Sequence, residues 1–344
     1  WFYAAITGFS PLVLRAATMF SFIALAKGFG RNTNVYNTLA GSGLILLVFD
    51  PYLIMSVGFQ LSYLAVVGII YFQPKIYNLF ISKNWILDKI WMITTVSVAA
   101  QLATFSLGLL YFHQFPTFFL LSNLVVIPGA LFILTSGLLL LAVSFVPWLY
   151  IFMGWVLSKV IYWINEGVFF IQSLPFSLLE GIYINTLQTW LLMIAIVALF
   201  LARDFKRVTF IYVSIFATVC FIGLRLEWLL QEVDKEEMTI HRVSNHTAIS
   251  LIDRGKSLLI TDSVLWLNTD RKRFHLAPNQ LISGVDESLF MPLKVEQPLN
   301  VFSWKGLEIL VVSGNLQSWN WEGSTNYDYV ILSQNYSGSL DDVL

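Results

Sequence analysis

Long apolar runs separated by short polar loops are the feature that most restricts how this chain can fold. A helix needs about 20 mainly apolar residues to cross the hydrocarbon core of a bilayer. By that measure the sequence predicts about eight spans, which cover residues 10–27, 35–50, 51–72, 91–111, 117–146, 148–173, 187–202 and 208–224. The first two thirds of the chain is therefore predicted to be a polytopic α-helical membrane domain.

The composition agrees with that prediction and indicates a domain boundary. Hydrophobic residues make up 57% of the chain and charged residues only 12%, whereas soluble domains carry about a quarter charged residues. Charges are sparse over residues 1–224 and denser over residues 225–344, so we expect a transmembrane domain followed by a soluble, β-rich α/β domain. The net charge of −1 gives no general attraction to a polyanion.

The loops between the predicted spans predict an orientation, because loops retained in the cytoplasm are rich in Lys and Arg. Three of four alternate loops carry the basic residues, and the fourth, near Val146 and Pro147, carries none; the basic residues are Lys27, Arg31, Lys75, Lys83, Lys89, Arg203, Lys206 and Arg207. The intervening loops around Asp50, His113 and Glu180 carry none. This pattern places the basic loops in the cytoplasm and the C-terminal domain outside. Residues 117–173 are the weak part of the prediction, because Lys159 and Glu166 also fit a helix that lies on the membrane surface.

Several polar residues fall within the predicted spans, where an ionisable or amide group is costly unless it meets protein or water. Arg15 lies one turn into the first span, so it could reach the interface or line a path. Thr94, Ser97, Gln101, Thr104 and Gly108 recur on one face of the fourth span. Helix packing is the favoured interpretation of that stripe, since small and polar residues join membrane helices. Gln60 and Ser62 of the third span have the same interpretation on their own.

The fifth predicted span contains two interruptions. Ser122-Asn123 and Pro128-Gly129 both lie in it, and a proline inside a helix removes a backbone hydrogen bond. Broken helices at membrane depth are tolerated where they line a cavity, so the sequence predicts a break that points to a transport path. A simple proline kink is the alternative.

Short motifs along the first spans resemble the competence domain of the ComEC family, the membrane channel proteins of bacterial DNA uptake. The matching segments are Gly8-Phe9-Ser10-Pro11 with Arg15-Ala16 and Met19, Arg31 with Asn34, Asp50-Pro51, Gly58-Phe59-Gln60-Leu61-Ser62-Tyr63-Leu64-Ala65, Gln101-Leu102-Ala103-Thr104, and Ser122-Asn123-Leu124 with Pro128. The Gly-Phe-Gln-Leu-Ser run after an Asp-Pro pair is the most specific of them. The likeness is detailed over residues 1–146 and rests on hydropathy alone beyond that.

The resemblance implies that a single DNA strand crosses the cytoplasmic membrane during natural transformation. On that basis the residues predicted to line the path are Arg15, Gln60, Ser62, Gln101 and Asn123. It also implies an outer DNA receptor and a cytoplasmic helicase or motor, since the sequence has no Walker-type nucleotide-binding loop. A homo-oligomer is left open, as are the two other functions we considered: a permease for a small solute or lipid-linked substrate, and a membrane-anchored scaffold whose outer domain binds a partner.

The C-terminal region resembles the metallo-β-lactamase-like domain that ends many ComEC proteins. Strands are predicted at 238–251, 257–262, 307–312 and 329–332, with a turn at Arg254-Gly255. The family's metal motifs are degenerate: its Asp-Val-Gly-Gln-Gly-Asp stretch corresponds to residues 242–247, its Gly-Asp to 314–315 and its His-His-Gly-Ser to 334–337. Its His-x-His-x-Asp-His motif has no counterpart.

These losses bear on the chemistry of the C-terminal region. A two-metal hydrolase needs several His and Asp ligands around ions a few ångströms apart. We therefore predict no metal, no cofactor and no hydrolase activity, and we expect His241, His246 and His275 to be solvated surface residues. The chain begins at Trp1, not Met, so we expect it to be a piece of a longer protein, with a further natural tail left open.

Overall fold

The computed structural model describes most of the chain as two compact units. Described residues are 1–28, 34–231, 235–268, 271–272, 275–285, 287–293, 299–312 and 327–333. Arg31 and the motif positions 314–315 and 334–337 lie outside them. The first unit covers Trp1–Val219 and the second covers Cys220–Leu344, so the division falls inside a helix, close to the boundary at residue 224 that the sequence predicts.

The first unit is mainly helical. Its helices, with the one that continues into the second unit, are α1 (Phe2–Ile6), α2 (Pro11–Gly28), α3 (Val35–Phe49), α4 (Val57–Tyr77), α5 (Trp85–Phe112), α6 (Phe119–Ala142), α7 (Pro147–Ser173), α8 (Thr186–Phe205) and α9 (Val208–Gln231). Among the described residues, α4 to α8 and Val208–Trp228 of α9 are long and apolar enough to cross a membrane. The chain is thus a multi-pass helical membrane protein, as its sequence predicts.

Two helices start six residues away from the starts of their predicted spans. The span expected over 51–72 begins as a 3₁₀-helix, Pro51–Met55, because the Asp50 carboxylate accepts the Tyr52 N–H at 3.0 Å and closes a short turn there. The α-helix starts only after Ser56 and runs on to Tyr77. Helix α5 starts six residues before the predicted span, since Asn84 caps it by accepting the Ile86 N–H at 2.9 Å.

Helices α4 and α5 pack closely through small residues. A Cβ placed on Gly68 would lie 2.2 Å from the Cβ of Ala103 and 2.9 Å from the carbonyl oxygen of Ala99, so only glycine fits there. These alanines lie on the side of α5 opposite the predicted polar stripe. The stripe hydroxyls of Thr94 and Ser97 donate to carbonyls one turn back in α5. The closest approach of α4 and α5 thus falls to these alanines, although Ser97 on the stripe is also buried, with 5% of its surface exposed.

Helices α6 and α7 form an antiparallel hairpin. A Cβ on Gly129 would lie 2.5 Å from Ile164 Cδ1, and a Cβ on Gly154 would lie 3.7 Å from Leu140. A two-stranded ribbon closes its base, where β1 (Gln114–Pro116) pairs antiparallel with β2 (Leu178–Glu180). The structure describes α6 as one continuous helix through Pro128 and Gly129, so the predicted break is absent. Gly129 instead lets α7 approach, and Pro128 withholds one N–H without ending the helix.

The second unit is a β-rich domain with two sheets. The first sheet has the order β3 (Glu236–Val243), β4 (His246–Asp253), β5 (Lys256–Thr261) and β6 (Glu287–Pro292), and the second has β7 (Leu299–Trp304), β8 (Leu307–Val312) and β9 (Tyr329–Leu332). The strand predicted over 238–251 is in fact a hairpin that turns at Ser244-Asn245, where Asn245 has a φ of +63°.

One apolar core joins both sheets. Ile249 and Ile260 of the first sheet pack with Ile309 and Val311 of the second. The other face of the first sheet buries Leu259 against Leu265 of α10 (Ser263–Leu267) and against Leu276, which precedes α11 (Ala277–Ile282).

Candidate functional site

Contacts between helix ends divide the first unit into a basic end and a neutral end. At the basic end, Lys75 of α4 pairs with Asp204 of α8, and Tyr77 of α4 donates to Asp88 of α5. At the neutral end, Tyr111 at the end of α5 donates to Gln60 near the start of α4. The loops rich in Lys and Arg therefore emerge on the side opposite Asp50, His113 and Glu180.

A polar cluster near the neutral end holds four helices together. We use this name for Arg15, Ser42, Gln60, Ser62, Tyr63 and Tyr111. Three of its members lie within four consecutive positions of α4, in the Gly-Phe-Gln-Leu-Ser-Tyr run, and each contacts a different helix. A span in lipid has no water to satisfy such groups, so hydrogen bonds between helices satisfy them.

Arg15 connects α2 to α4. Its Nε donates to the Ser62 hydroxyl, and its Nη1 lies 3.6 Å from the Met19 sulfur. Ser62 is buried, with 8% of its surface exposed, while Arg15 is half-buried. No described carboxylate forms an ion pair with Arg15. A guanidinium has five N–H donors, so most of its donors are left for another acceptor.

Gln60 and Tyr63 connect α4 to its other neighbours. The Gln60 amide donates to the Ile54 carbonyl at 2.8 Å and accepts from the Tyr111 hydroxyl at 2.8 Å. The Tyr63 hydroxyl lies 3.0 Å from that of Ser42, which is completely buried in α3. One amide hydrogen and one lone pair of Gln60 stay available. Its main structural role is to join α4, α5 and the 3₁₀-helix.

The structure does not bring Gln101 and Asn123 into this cluster. Gln101 lies in the middle of α5, and Asn123 is the fifth residue of α6. Both are half-buried, and neither side chain hydrogen-bonds to a residue that the structure describes. The five residues predicted to line a path thus divide into a bonded group, Arg15, Gln60 and Ser62, and two separate amides.

Sequence reasoning missed several members of the cluster. Ser42, Tyr63 and Tyr111 were not predicted as site residues, although Tyr63 lies within the motif that carries the family resemblance. A usable signal was available: each is a polar residue inside a predicted span. The sequence could not show which of them meet, because that depends on how the helices are rotated.

In the β-rich unit, two histidines differ from the expectation of solvated surface residues. His241 is buried, with 8% of its surface exposed, and its Nε2 lies 2.8 Å from the Ser250 hydroxyl. The His246 Nδ1 lies 2.7 Å from Asp262 Oδ2, and both side chains are largely buried. His275 is exposed. In the part of the chain that the structure describes, no three His, Cys, Asp or Glu residues are grouped so that they could hold a metal ion.

Comparison with known proteins identifies the family. The profile of the competence protein family matches residues 1–205, and that of the ComEC C-terminal domain matches residues 238–344. ComE operon protein 3 of Bacillus subtilis (strain 168) is 26% identical over 270 residues, which is 76% of this chain and 34% of that protein. The chain thus spans about a third of the length of that relative. No solved structure matches. With more than half of its residues matched, the chain belongs to the competence protein family and carries a ComEC C-terminal domain.

Proposed function

We propose that this chain forms part of a path by which single-stranded DNA crosses the cytoplasmic membrane during natural transformation. Membership of the competence family supports a role in DNA uptake. The observation that carries the finer proposal is Arg15, a cation near the neutral end that Ser62 holds and that no described carboxylate neutralises. Guanidinium groups bind phosphate oxygens through paired N–H donors, so Arg15 is suited to meet a DNA backbone.

The two separate amides add weaker support. Gln101 and Asn123 lie half-buried in spanning helices without a described hydrogen-bond partner. An unpaired amide in lipid is costly, so water or a passing polar substrate is the favourable neighbour for both. The path would then run past three helices, with Arg15 on α2, Gln101 on α5 and Asn123 on α6.

DNA uptake by cells that carry Arg15→Gln tests this proposal. Loss of one charge-assisted hydrogen bond, about 1.4 kcal/mol, should lower transformation about tenfold. Lys27→Gln is the matched control, since Lys27 is the basic residue at the other end of the same helix and should leave transformation unchanged. Normal transformation by Arg15→Gln, with the protein at its usual level in the membrane, would contradict the assignment.

The orientation is also part of this proposal. The division of the helix ends into a basic end and a neutral end supports a basic end in the cytoplasm. It also supports a β-rich domain outside, because α9 starts at the basic end and is long enough to cross the membrane. A reporter enzyme that is active only outside the cytoplasm should work when fused after Leu230 and fail when fused after Phe80. The opposite pair of results would show that the chain has the reverse orientation in the membrane.

We propose that the C-terminal domain lacks metal-dependent hydrolase activity. The degenerate motifs support this, as does the engagement of His241 with Ser250 and of His246 with Asp262. DNA cleavage by the purified full chain that requires manganese or zinc and is lost in His246→Ala would refute it. An outer receptor and a cytoplasmic motor remain implied by the family. The break in α6 that favoured the permease alternative is absent from the structure, whereas the scaffold alternative is unaffected.

A further inference from the structure

A half-open apolar groove runs between α4, α5 and α8. Its volume is about 300 Å³. The groove is lined by Leu64, Val67, Gly68, Tyr71, Phe72, Leu102, Ala103, Met193, Ile196, Val197 and Leu201. Its α4–α5 side is formed where Gly68 meets Ala103, and the rings of Phe72 and Phe200 lie 4.4 Å apart beside it. None of the five residues predicted to line a DNA path contributes to it.

The groove leads to the basic end of the bundle. On α4, the lining positions Gly68 and Tyr71 continue at helical spacing to Lys75, and on α8 Val197 continues to Asp204. Lys75 and Asp204 pair with each other, and the Tyr71 hydroxyl donates to Asp204 at 2.6 Å. The apolar surface therefore ends in a polar mouth where α4 and α8 end.

Additional positive charge surrounds this mouth. Arg203 in the last turn of α8, and Lys206 and Arg207 directly after that helix, are all exposed. None of them forms a salt bridge with a residue that the structure describes. Because Lys75 and Asp204 offset one another, these three cations give the mouth a net positive charge. Basic pockets beside spanning helices attract the phosphate groups of anionic lipids.

We propose that this groove binds a phospholipid with an anionic headgroup. One acyl chain fills the apolar groove, and the headgroup phosphate lies at Arg203, Lys206 and Arg207. Two independent features favour this occupant over others: the lining is almost entirely apolar and lies within spanning helices, and the cations lie only at the end of the groove that reaches the membrane surface. The site is separate from the proposed DNA path and does not depend on it.

The test is retention of lipid by the purified full chain. The protein is exchanged into detergent with equal amounts of phosphatidylglycerol and phosphatidylcholine, and bound lipid is counted by native mass spectrometry. We expect one phosphatidylglycerol per chain, retained several-fold over phosphatidylcholine. Val197→Trp fills the groove and should remove that lipid. Leu199→Trp, on the exposed opposite side of α8, is the matched control and should retain it.

A second pair of variants tests the headgroup contact. Neutralising Arg203, Lys206 and Arg207 to Gln should abolish the several-fold preference for phosphatidylglycerol, while neutralising Lys27, Lys83 and Lys89 should leave it unchanged. Equal retention of both lipids by the unaltered chain, or full retention by Val197→Trp, would overturn the proposal. Should Val197→Trp fail to fold, Val67→Phe fills the same groove from α4 and decides the outcome in the same way.

Discussion

The α2–α5 bundle and the α6–α7 hairpin use their polar side chains in opposite ways. In the bundle, Gln60, Ser62 and Tyr63 of α4 each hydrogen-bond to a different helix. In the hairpin, five polar residues of α7 are exposed, and none of their side chains hydrogen-bonds to a described residue. These residues are Ser158, Lys159, Asn165, Glu166 and Gln172.

The difference shows that polarity inside a span has two distinct uses. In the bundle it stabilises the assembly, because a hydrogen bond between helices replaces the water that lipid cannot supply. In the hairpin, the exposed polar side chains of α7 are left able to bind a neighbour outside the hairpin. Lys159 lies close to the middle of its helix. A lipid tail is a poor neighbour for such a group, so the exposed face of α7 is expected to meet water or another polypeptide.

The largest difference in stability between the bundle and the hairpin is expected when a glycine in each, Gly68 or Gly129, is replaced by alanine. In Gly68→Ala the added methyl meets the Ala99 carbonyl and Ala103, which cannot move independently, so we expect a loss of about 3 kcal/mol or more in the free energy of unfolding. In Gly129→Ala it meets the flexible tip of Ile164, so the loss should stay below about 1 kcal/mol. Thermal unfolding in detergent measures both.

Gly137→Ala is the control for these two variants, since nothing lies within 4 Å of a Cβ at that position. It should be neutral or stabilise α6 by up to about 1 kcal/mol through helix propensity. Equal damage from Gly129→Ala and Gly68→Ala would show that the hairpin is packed as tightly as the bundle.

A smaller difference in stability is expected between variants of two amide side chains, Gln60 in the bundle and Asn165 in the hairpin. Gln60→Leu leaves the Tyr111 hydroxyl and the Ile54 carbonyl without their partner, so it should destabilise the protein by about 1–2 kcal/mol. Asn165→Leu removes no described hydrogen bond and should change the free energy of unfolding by less than about 0.5 kcal/mol. Unfolding in detergent compares the two. If Asn165→Leu is the more damaging, the hairpin amides have a structural role after all.

The smallest effect concerns a buried polar pair outside the helices, His241 with Ser250. Burial lowers the pKa of His241, with an opposing influence from Glu237. The unfolded chain therefore takes up this proton more readily than the folded chain, so stability is full above about pH 6.5 and falls as the pH is lowered below it. Hydrogen exchange of β3 and β4 in the full chain should show this loss, and His241→Gln should reduce it. An unchanged pH dependence in that variant would assign the loss to other groups.

Much of the fold could be predicted from apolar length and loop charge. The helices α2, α3 and α6 to α9 begin within about two residues of the predicted spans, because apolar runs and capping residues mark their limits. The start of α4 was missed because the Asp50 cap closes a separate 3₁₀-turn. The Ser244-Asn245 turn was missed because no glycine marks it, although Asn tolerates a positive φ better than most residues.

The candidate site was predicted only in part, for a physical reason. Polarity within a span identifies Arg15, Gln60 and Ser62, yet the partners of these residues depend on how each helix is rotated about its axis. The predicted stripe on α5 shows the limit: Thr94 and Ser97 satisfy their hydroxyls within their own helix, and the close contact falls to Ala99 and Ala103 on the other side. Periodicity identifies a face, and only packing identifies its neighbour.

The ribbon of β1 and β2 has a consequence for membrane insertion. Paired strands lie about 5 Å apart, so the polypeptide leaves at Pro116 and returns at Leu178 on the same side of the bilayer. The segment between them, which contains α6 and α7, therefore does not change the side of the membrane on which the later segments lie. A shorter or longer hairpin could be exchanged for this one without inverting α8, α9 or the β-rich domain, which makes the segment a replaceable module in an otherwise fixed topology.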